Sequence, residues 1–161
     1  MKSNQRIGHG YDVHRLEKNR KFTLGGIEIK HDKGAVGHSD ADVLIHALCD
    51  ALLGALNLGD IGKHFPDNNH NYKDIDSKIL LKKVMMLCKK NDYKLVNTDI
   101  TIILQKPKIS SYITKMKNVL SKIVGLENSR ISIKATTTEG LGFIGREEGV
   151  ASYCVVLLEL V

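Results

Sequence analysis

The chain has 161 residues, 42% hydrophobic and 26% charged, with a formal charge of +6; this suits one domain with a substantial core and leaves no apolar run long enough to span a membrane. The excess positive charge is scattered, with Lys82, Lys83, Lys89 and Lys90 on one predicted helix and Lys115, Lys117 and Lys122 on another, as solvated faces do. Only five Tyr and three Phe are present and none alternates with basic residues, which argues against nucleic acid, while a basic surface suits anionic small substrates equally well.

Met1 to Arg6 is short and polar and carries no cleavable signal pattern, so a cytoplasmic location is expected. Cys49, Cys88 and Cys154 lie far apart in apolar segments without Cys-x-x-Cys spacing. They read as buried free thiols of a reducing compartment.

The first predicted strand carries Ile7-Gly-His-Gly-Tyr-Asp-Val-His14. Strand residues i and i+2 face the same way, so Asp12 and His14 would converge on one point. From Lys21 to Lys30, two short alternating runs are joined by Gly25-Gly26, which can take the positive φ angles of a tight hairpin. A loop over 31–37 then leads to the stretch 37–60, predicted as a buried helix with Ser39 as N-cap and Asn57 and Gly59 as stop residues. Val43, Leu44, Ala47, Leu48, Ala51, Leu52, Ala55 and Leu56 cover most of its circumference. His46 interrupts that arc, on one line with Asp42 and Asp50. A lone His on an apolar helix is most often a core imidazole bonded to a carbonyl. Beside Asp12 and His14 it would instead complete a carboxylate and two imidazoles, a good Zn2+ set with the fourth position open for chemistry. Spacing alone leaves both readings standing.

Residues 59–72 are too rich in Gly, Pro and polar residues for regular structure and read as an exposed loop, either a connector or a carrier of binding groups. A helix over 77–90 is predicted to bury Ile79, Leu80, Val84, Leu87 and Cys88. The β-branched run 95–104 reads as a buried strand that Pro107 closes. A third helix, starting near Ser110 or Ser111, buries Ile113, Met116, Leu120, Ile123 and Val124 and stops at Gly125. Strands follow over 131–135 and 151–161, the last apolar on both faces. The interleaving predicts a single α+β domain over 1–161, a two-layer sandwich of a mixed sheet with about three helices on one face.

Gly140, Gly142 and Gly145 satisfy G-x-G-x-x-G after a predicted strand. No helix is predicted to follow, and the chain ends before an acidic ribose-binding residue could appear, so a dinucleotide site is not supported. The stretch 136–149 reads instead as a turned loop whose hydroxyls, backbone N–H groups and Glu139 face a site.

Five blocks, in order, carry a resemblance: Ile7-Gly-His-Gly-Tyr-Asp-Val-His14, His38-Ser-Asp-Ala-Asp-Val-Leu-Ile-His46, Asp60-Ile-Gly-Lys-His-Phe-Pro-Asp67, Lys134-Ala-Thr-Thr-Thr-Glu139 and Leu141-Gly-Phe-Ile-Gly-Arg146. Together they cover nearly the whole chain, which resembles the 2-C-methyl-D-erythritol 2,4-cyclodiphosphate synthase family of the non-mevalonate isoprenoid pathway. The nucleotidyltransferase module fused to some members is not expected here.

The resemblance implies an intramolecular phosphoryl transfer in which CMP leaves and a cyclic diphosphate forms. It implies Zn2+ on Asp12, His14 and His46, and a second divalent ion, Mg2+ or Mn2+, on Glu139 and the substrate phosphates. His38 and Thr137 would stabilise the transition state, with Ser39 assisting. Taken alone, His38 and Ser39 could equally cap the helix and Thr136, Thr137 and Thr138 end a strand. Substrate contacts are implied at Asp12, Val13 and His14. The methylerythritol end would be held by Asp60, Ile61, Gly62, Phe65, Pro66, Asp67, Asn68 and Asn69. Cytidine and its phosphate would be cradled by Leu104, Gln105, Lys106, Pro107, Lys108, Ile109 and Ser110 with the loop 136–139. A homotrimer with active sites between subunits is implied, with Tyr11, Phe143 and Arg146 near a central cavity that accepts isoprenoid diphosphates.

Three rivals remain at this level. A zinc phosphohydrolase would use the same ligands to activate water and release ring-free phosphates. A basic nucleic-acid-binding domain with a structural metal would bind DNA or RNA with steep salt dependence. A non-catalytic isoprenoid-binding trimer would keep its role without Glu139 and His46.

Overall fold

The computed structural model describes residues 4–66, 72 and 74–161. In chain order its elements are β1 (Gln5–Lys18), the hairpin of β2 (Phe22–Leu24) and β3 (Ile27–Ile29), β4 (Lys33–Val36), α1 (Val43–Ala55) and the single turn α2 (Ile61–His64). Next come α3 (Ser77–Lys90), β5 (Tyr93–Ile103), α4 (Ile113–Val124) after a 3-10 turn at Ser110–Tyr112, β6 (Ile131–Thr136), the single turn α5 (Gly142–Gly145) and β7 (Gly149–Leu160). The five-stranded sheet runs β4-β1-β7-β5-β6, antiparallel throughout except for the parallel pair β5 and β6. It is the mixed sheet of an α+β sandwich, as the interleaved pattern predicts.

Strand periodicity divides β1 between two environments. Gly8, Gly10, Asp12, His14 and Leu16 face the helices, while Ile7, His9, Tyr11, Val13 and Arg15 face away. The two glycines are there because α1 rests directly on the strand: a Cβ on Gly8 would land on the Ala51 carbonyl, and one on Gly10 on the Ala47 carbonyl. That close approach brings His46, the residue before Ala47, over the next helix-facing pair of the strand.

α1 is the core of the sandwich. Every residue from Val43 to Leu53 is buried except the half-buried Asp50. Leu80, Leu81, Val84 and Cys88 of α3 pack beside it, and Met116, Leu120 and Val124 of α4 extend the core along α3 and β6. Each such Leu or Ile buried from water stabilises the fold by about 1.5–3 kcal/mol. Gly125 ends α4 in the left-handed region at φ 72°, and Gly25 and Gly26, at φ 59° and 77°, make the hairpin turn. Cys49, Cys88 and Cys154 are buried free thiols.

Several expectations are corrected in detail. The N-cap of α1 is Asp42, not Ser39: Asp42 Oδ1 accepts from the Ile45 N–H at 3.1 Å. The same carboxylate accepts from Gly25 N–H at 2.9 Å and Gly26 N–H at 2.6 Å, a demand from the hairpin that local spacing does not reveal. On α3, Leu81 takes the core position expected of Ile79, which is 44% exposed. Ile113, Leu87 and Ile123 are only half-buried. Within 136–149, one helical turn forms at Gly142–Gly145, too short to open a dinucleotide site.

The far face of the sheet carries Ile7, Tyr11, Val13, Tyr153 and Val155, of which Ile7 is 74% and Tyr153 46% exposed. Among the described residues, the one helical segment on that face is α5, which sets Ile144 over Ile103 and Ala151. No described helix is long and apolar enough to cross a membrane.

Candidate functional site

Asp12 and His14 project from β1 on the same side, and His46 meets them from α1. His14 Nε2 lies 2.9 Å and His46 Nδ1 3.0 Å from Asp12 Oδ2, and the two ring nitrogens are 3.0 Å apart. Three donor atoms in so small a triangle suit one small cation bonded at about 2.0–2.2 Å to each. Among the described residues, these three form the one such cluster of His, Cys, Asp and Glu.

Both rings are turned for that task. His14 Nδ1 donates to the Val36 carbonyl at 3.0 Å, leaving the Nε2 lone pair toward the triangle. The Nε2 of His46 lies 2.9 Å from Ser77 Oγ and 3.1 Å from Ser39 Oγ, leaving Nδ1 toward the triangle. Two imidazoles and a carboxylate so oriented are a sound donor set for Zn2+.

The electrostatics favour positive charge at this point. Burial acts to raise the Asp12 carboxyl, but hydrogen bonds and charge from His14 and His46 outweigh it and hold the group well below the usual carboxylate range. Burial acts to lower His14, yet the hydrogen bond and charge of Asp12 carry it above the ordinary imidazole value. A proton or a metal cation is welcomed for the same reason.

A cavity of about 260 Å³ opens beside the triangle, lined by Gly37, His38, Ser39, Ile61, Gly62 and Phe65 as well as Asp12, His14 and His46. The sequence-predicted His38, Ser39, Ile61, Gly62 and Phe65 therefore do meet the candidate metal ligands. Asp60 caps α2, its carboxylate accepting from the Lys63 N–H at 2.9 Å. Val13 points to the opposite face of the sheet and Pro66 is exposed. Asp67, Asn68 and Asn69 lie outside the described residues.

The other predicted residues gather elsewhere. Leu104, Gln105, Pro107, Lys108, Ile109 and Ser110 line a second cavity of about 240 Å³ with Thr136 and Thr137. Lys106 turns to Glu147, Nζ to Oε1 at 3.0 Å. In the following loop Thr137 Oγ1 donates to Glu139 Oε1 at 3.0 Å and accepts from the Glu139 N–H at 3.2 Å, and Thr138 Oγ1 donates to the Leu141 carbonyl. Glu139 is exposed, at φ 54°. Since β7 and β5 separate β1 from β6, the two groups stand about three strand spacings apart, ~14 Å within one chain. On the far face, Phe143 packs over Gly149, and the Arg146 guanidinium makes two 3.0 Å bonds to Glu148.

Sequence reasoning missed Ser77, Asp40 and Asp50. Ser77 touches His46, Asp40 holds Ser77, and Asp50 accepts from the Ile61 N–H at 2.7 Å, anchoring α2 beside the cavity. Only Asp50 gave a signal, on the same helix line as His46.

A sequence profile of the YgbB family matches residues 5–159. A relative from Fusobacterium nucleatum subsp. nucleatum, named 2-C-methyl-D-erythritol 2,4-cyclodiphosphate synthase, is 57% identical over 154 residues, 96% of each chain. Among solved structures, the CDP complex of IspF from Plasmodium falciparum superposes with a TM-score of 0.86 at 34% identity over 99% of each chain. The bifunctional IspDF from Campylobacter jejuni superposes with a TM-score of 0.94 at 41% identity, over 98% of this chain and 42% of that one. With the profile spanning nearly its full length, the chain belongs to the YgbB family.

Proposed function

We propose that the chain closes 4-diphosphocytidyl-2-C-methyl-D-erythritol 2-phosphate into 2-C-methyl-D-erythritol 2,4-cyclodiphosphate with release of CMP, as a lyase of the non-mevalonate isoprenoid pathway. The observation that carries this is the Asp12, His14 and His46 triangle beside a cavity lined by His38 and Ser39, in a chain 57% identical to a relative of that name. An oxygen of the 2-phosphate attacks the β-phosphorus, the bond from that phosphorus to the bridging oxygen breaks, and the oxygen leaves on CMP. Both reactants are tethered in one substrate, so the protein has to fold it and balance phosphate charge rather than supply a nucleophile.

Zn2+ held by Asp12, His14 and His46, with Mg2+ or Mn2+ held by Glu139, would supply Lewis-acid stabilisation of phosphoryl oxygens. His38 and Ser39 border the ligands and donate hydrogen bonds to the reacting phosphate. Ile61, Gly62 and Phe65 enclose the methylerythritol end, joined by Asp60, Pro66, Asp67, Asn68 and Asn69. The cavity of Leu104 to Ser110 receives cytidine, and the Thr137 hydroxyl, whose partner in the chain alone is Glu139, turns to phosphate.

The two halves of this set stand on strands about three spacings apart within one chain, as separate cavities. A homotrimer with sites between subunits joins the metal half of one protomer to the cytidine half of its neighbour. Support comes from the far face of the sheet, whose apolar Ile7, Tyr11, Val13, Tyr153 and Val155 are an interface in waiting. Tyr11, Phe143 and Arg146 on that side would border a central cavity open to an isoprenoid diphosphate. Arg146 is already paired with Glu148, so a diphosphate there has to compete for it. A cytoplasmic setting agrees with three buried unpaired thiols.

Phosphorus NMR of the protein with this substrate, Mg2+ and Zn2+, and a chelator control, tests the reading. A cyclic diphosphate with CMP is expected; ring-free phosphates would establish a zinc phosphohydrolase instead. A prenyl diphosphate that alters neither melting temperature nor turnover would remove the central-cavity role.

A further inference from the structure

We infer that Asp40 and Ser77 are positioning residues for the metal centre: a hydrogen-bonded chain from Asp40 through Ser77 to His46 holds the proton on Nε2 and so presents Nδ1 as the ligating atom. The inference rests on the metal-site reading above and adds to it two residues that touch neither metal nor substrate.

The direction of each hydrogen bond follows from what each group can do. Asp40 grips the first residue of α3 twice, Oδ2 accepting from the Ser77 N–H at 3.1 Å and Oδ1 accepting from the Ser77 hydroxyl. An ionised carboxylate only accepts, so the Ser77 hydrogen is committed to Asp40 and its oxygen is left with lone pairs. Those face His46 Nε2 at 2.9 Å, which must donate. With its hydrogen on Nε2, the neutral ring has its lone pair on Nδ1, 3.0 Å from both Asp12 Oδ2 and His14 Nε2.

Ser39 Oγ, 3.1 Å from the same nitrogen, is the weaker claimant. Among the described residues no carboxylate orients it, and its oxygen also receives the Ala41 N–H at 3.3 Å. Ser77 is fully buried, whereas Ser39 lines the cavity. The structure thus gives the imidazole to Ser77 and leaves the Ser39 hydroxyl for a ligand. His14 is served in parallel by a backbone carbonyl, that of Val36. Each imidazole therefore has its own fixed acceptor behind it, which orients the ring and raises its basicity toward a metal. Because Ser77 begins α3, docking of that helix and readiness of the metal site are one event.

The test is Zn2+ affinity, read by competition with a chromophoric chelator, for wild type, Ser77→Ala, Asp40→Asn, the double variant and Ser77→Thr. Ser77→Ala and Asp40→Asn are expected to lose about 10–100-fold. The double variant should lose little more than either alone, because both act through one chain. Ser77→Thr, which keeps the hydroxyl, should restore most of the affinity. Wild-type affinity in both single variants, or losses that simply multiply in the double variant, would overturn the relay while leaving the metal site intact. A wild-type protein that takes up no stoichiometric Zn2+ would overturn the metal-site reading, and the relay with it. Should a variant fail to fold, nitrogen-15 NMR of metal-free wild type, where no metal dictates the tautomer, decides. A slowly exchanging proton on His46 Nε2 is the expected signature, and a proton on Nδ1 the contrary one.

Discussion

Replacing Asp42 by Ala removes one carboxylate from beneath three backbone N–H groups. Asp42 is fully buried, and its oxygens accept from Gly25, Gly26 and Ile45 at 2.9, 2.6 and 3.1 Å. The Ile45 bond is an N-cap, worth about 0.5–2 kcal/mol. The two glycine bonds fasten the β2–β3 turn, and each buried donor left without an acceptor costs about 1–3 kcal/mol. Allowing for partial relaxation of the turn toward water, the loss should come to about 3–5 kcal/mol, or roughly 10 °C in melting temperature for a chain of this size. Asp42→Asn keeps one carbonyl oxygen and should lose less than half as much. Urea and thermal denaturation at one fixed protein concentration, with and without Zn2+, measure both variants. A loss below about 1 kcal/mol for Asp42→Ala would refute the view that this side chain clamps hairpin and helix together.

Other outcomes follow from the same geometry. His46→Ala should lose stoichiometric zinc and nearly all turnover while keeping a cooperative melt; metal analysis of the purified variant showing one zinc per chain would contradict the ligand assignment. Acid should release the metal early, because binding has to expel the proton that Asp12 favours on His14: affinity falls as pH drops through the raised His14 value, above the usual ~6.5. In metal-free protein the signs differ. The raised His14 stabilises fully below ~6.5 and loses its effect as pH rises through its folded value, while the depressed Asp12 stabilises above ~3.9 and loses its effect as pH falls through its own. Metal-free protein is therefore helped most between those limits and metal-loaded protein above them, and parallel melting curves in the two states across pH would count against this. Tyr153→Lys, placing a charge on the open sheet face beside the Tyr11 ring at 4.8 Å, should shift light-scattering mass from trimer toward monomer, and an unchanged mass would place the interface elsewhere.

The convergence of Asp12, His14 and His46 was legible in part, because two regular periods meet there, but spacing left a core imidazole equally open and the resemblance decided between them. Asp12 and His14 needed only the strand repeat, and His46 only a helix packed across it. Gly8 and Gly10 stood in the sequence as well, but their meaning, the Ala51 and Ala47 carbonyls pressed on the strand, depends on which helix lands there. Local spacing points to Ser39 as the cap because it cannot show that Asp42 also serves a turn 16 residues away. Asp40 and Ser77 were invisible for a like reason, standing 37 positions apart in the chain. The apolar far side of β7 could be read as a strand buried on both faces, though within one chain that side stays open. Strand order, which parts His38 from Thr137, follows from long-range pairing that no local pattern encodes.

Zinc-edge anomalous diffraction from crystals grown with Zn2+ and CDP tests the central claim most directly. One peak per chain is expected, bonded to Asp12 Oδ2, His14 Nε2 and His46 Nδ1, with cytidine held in the Leu104 to Ser110 cavity of a neighbouring protomer and its phosphates reaching that metal. A peak away from the triangle, or a nucleotide gripped by a single chain far from any metal, would contradict it.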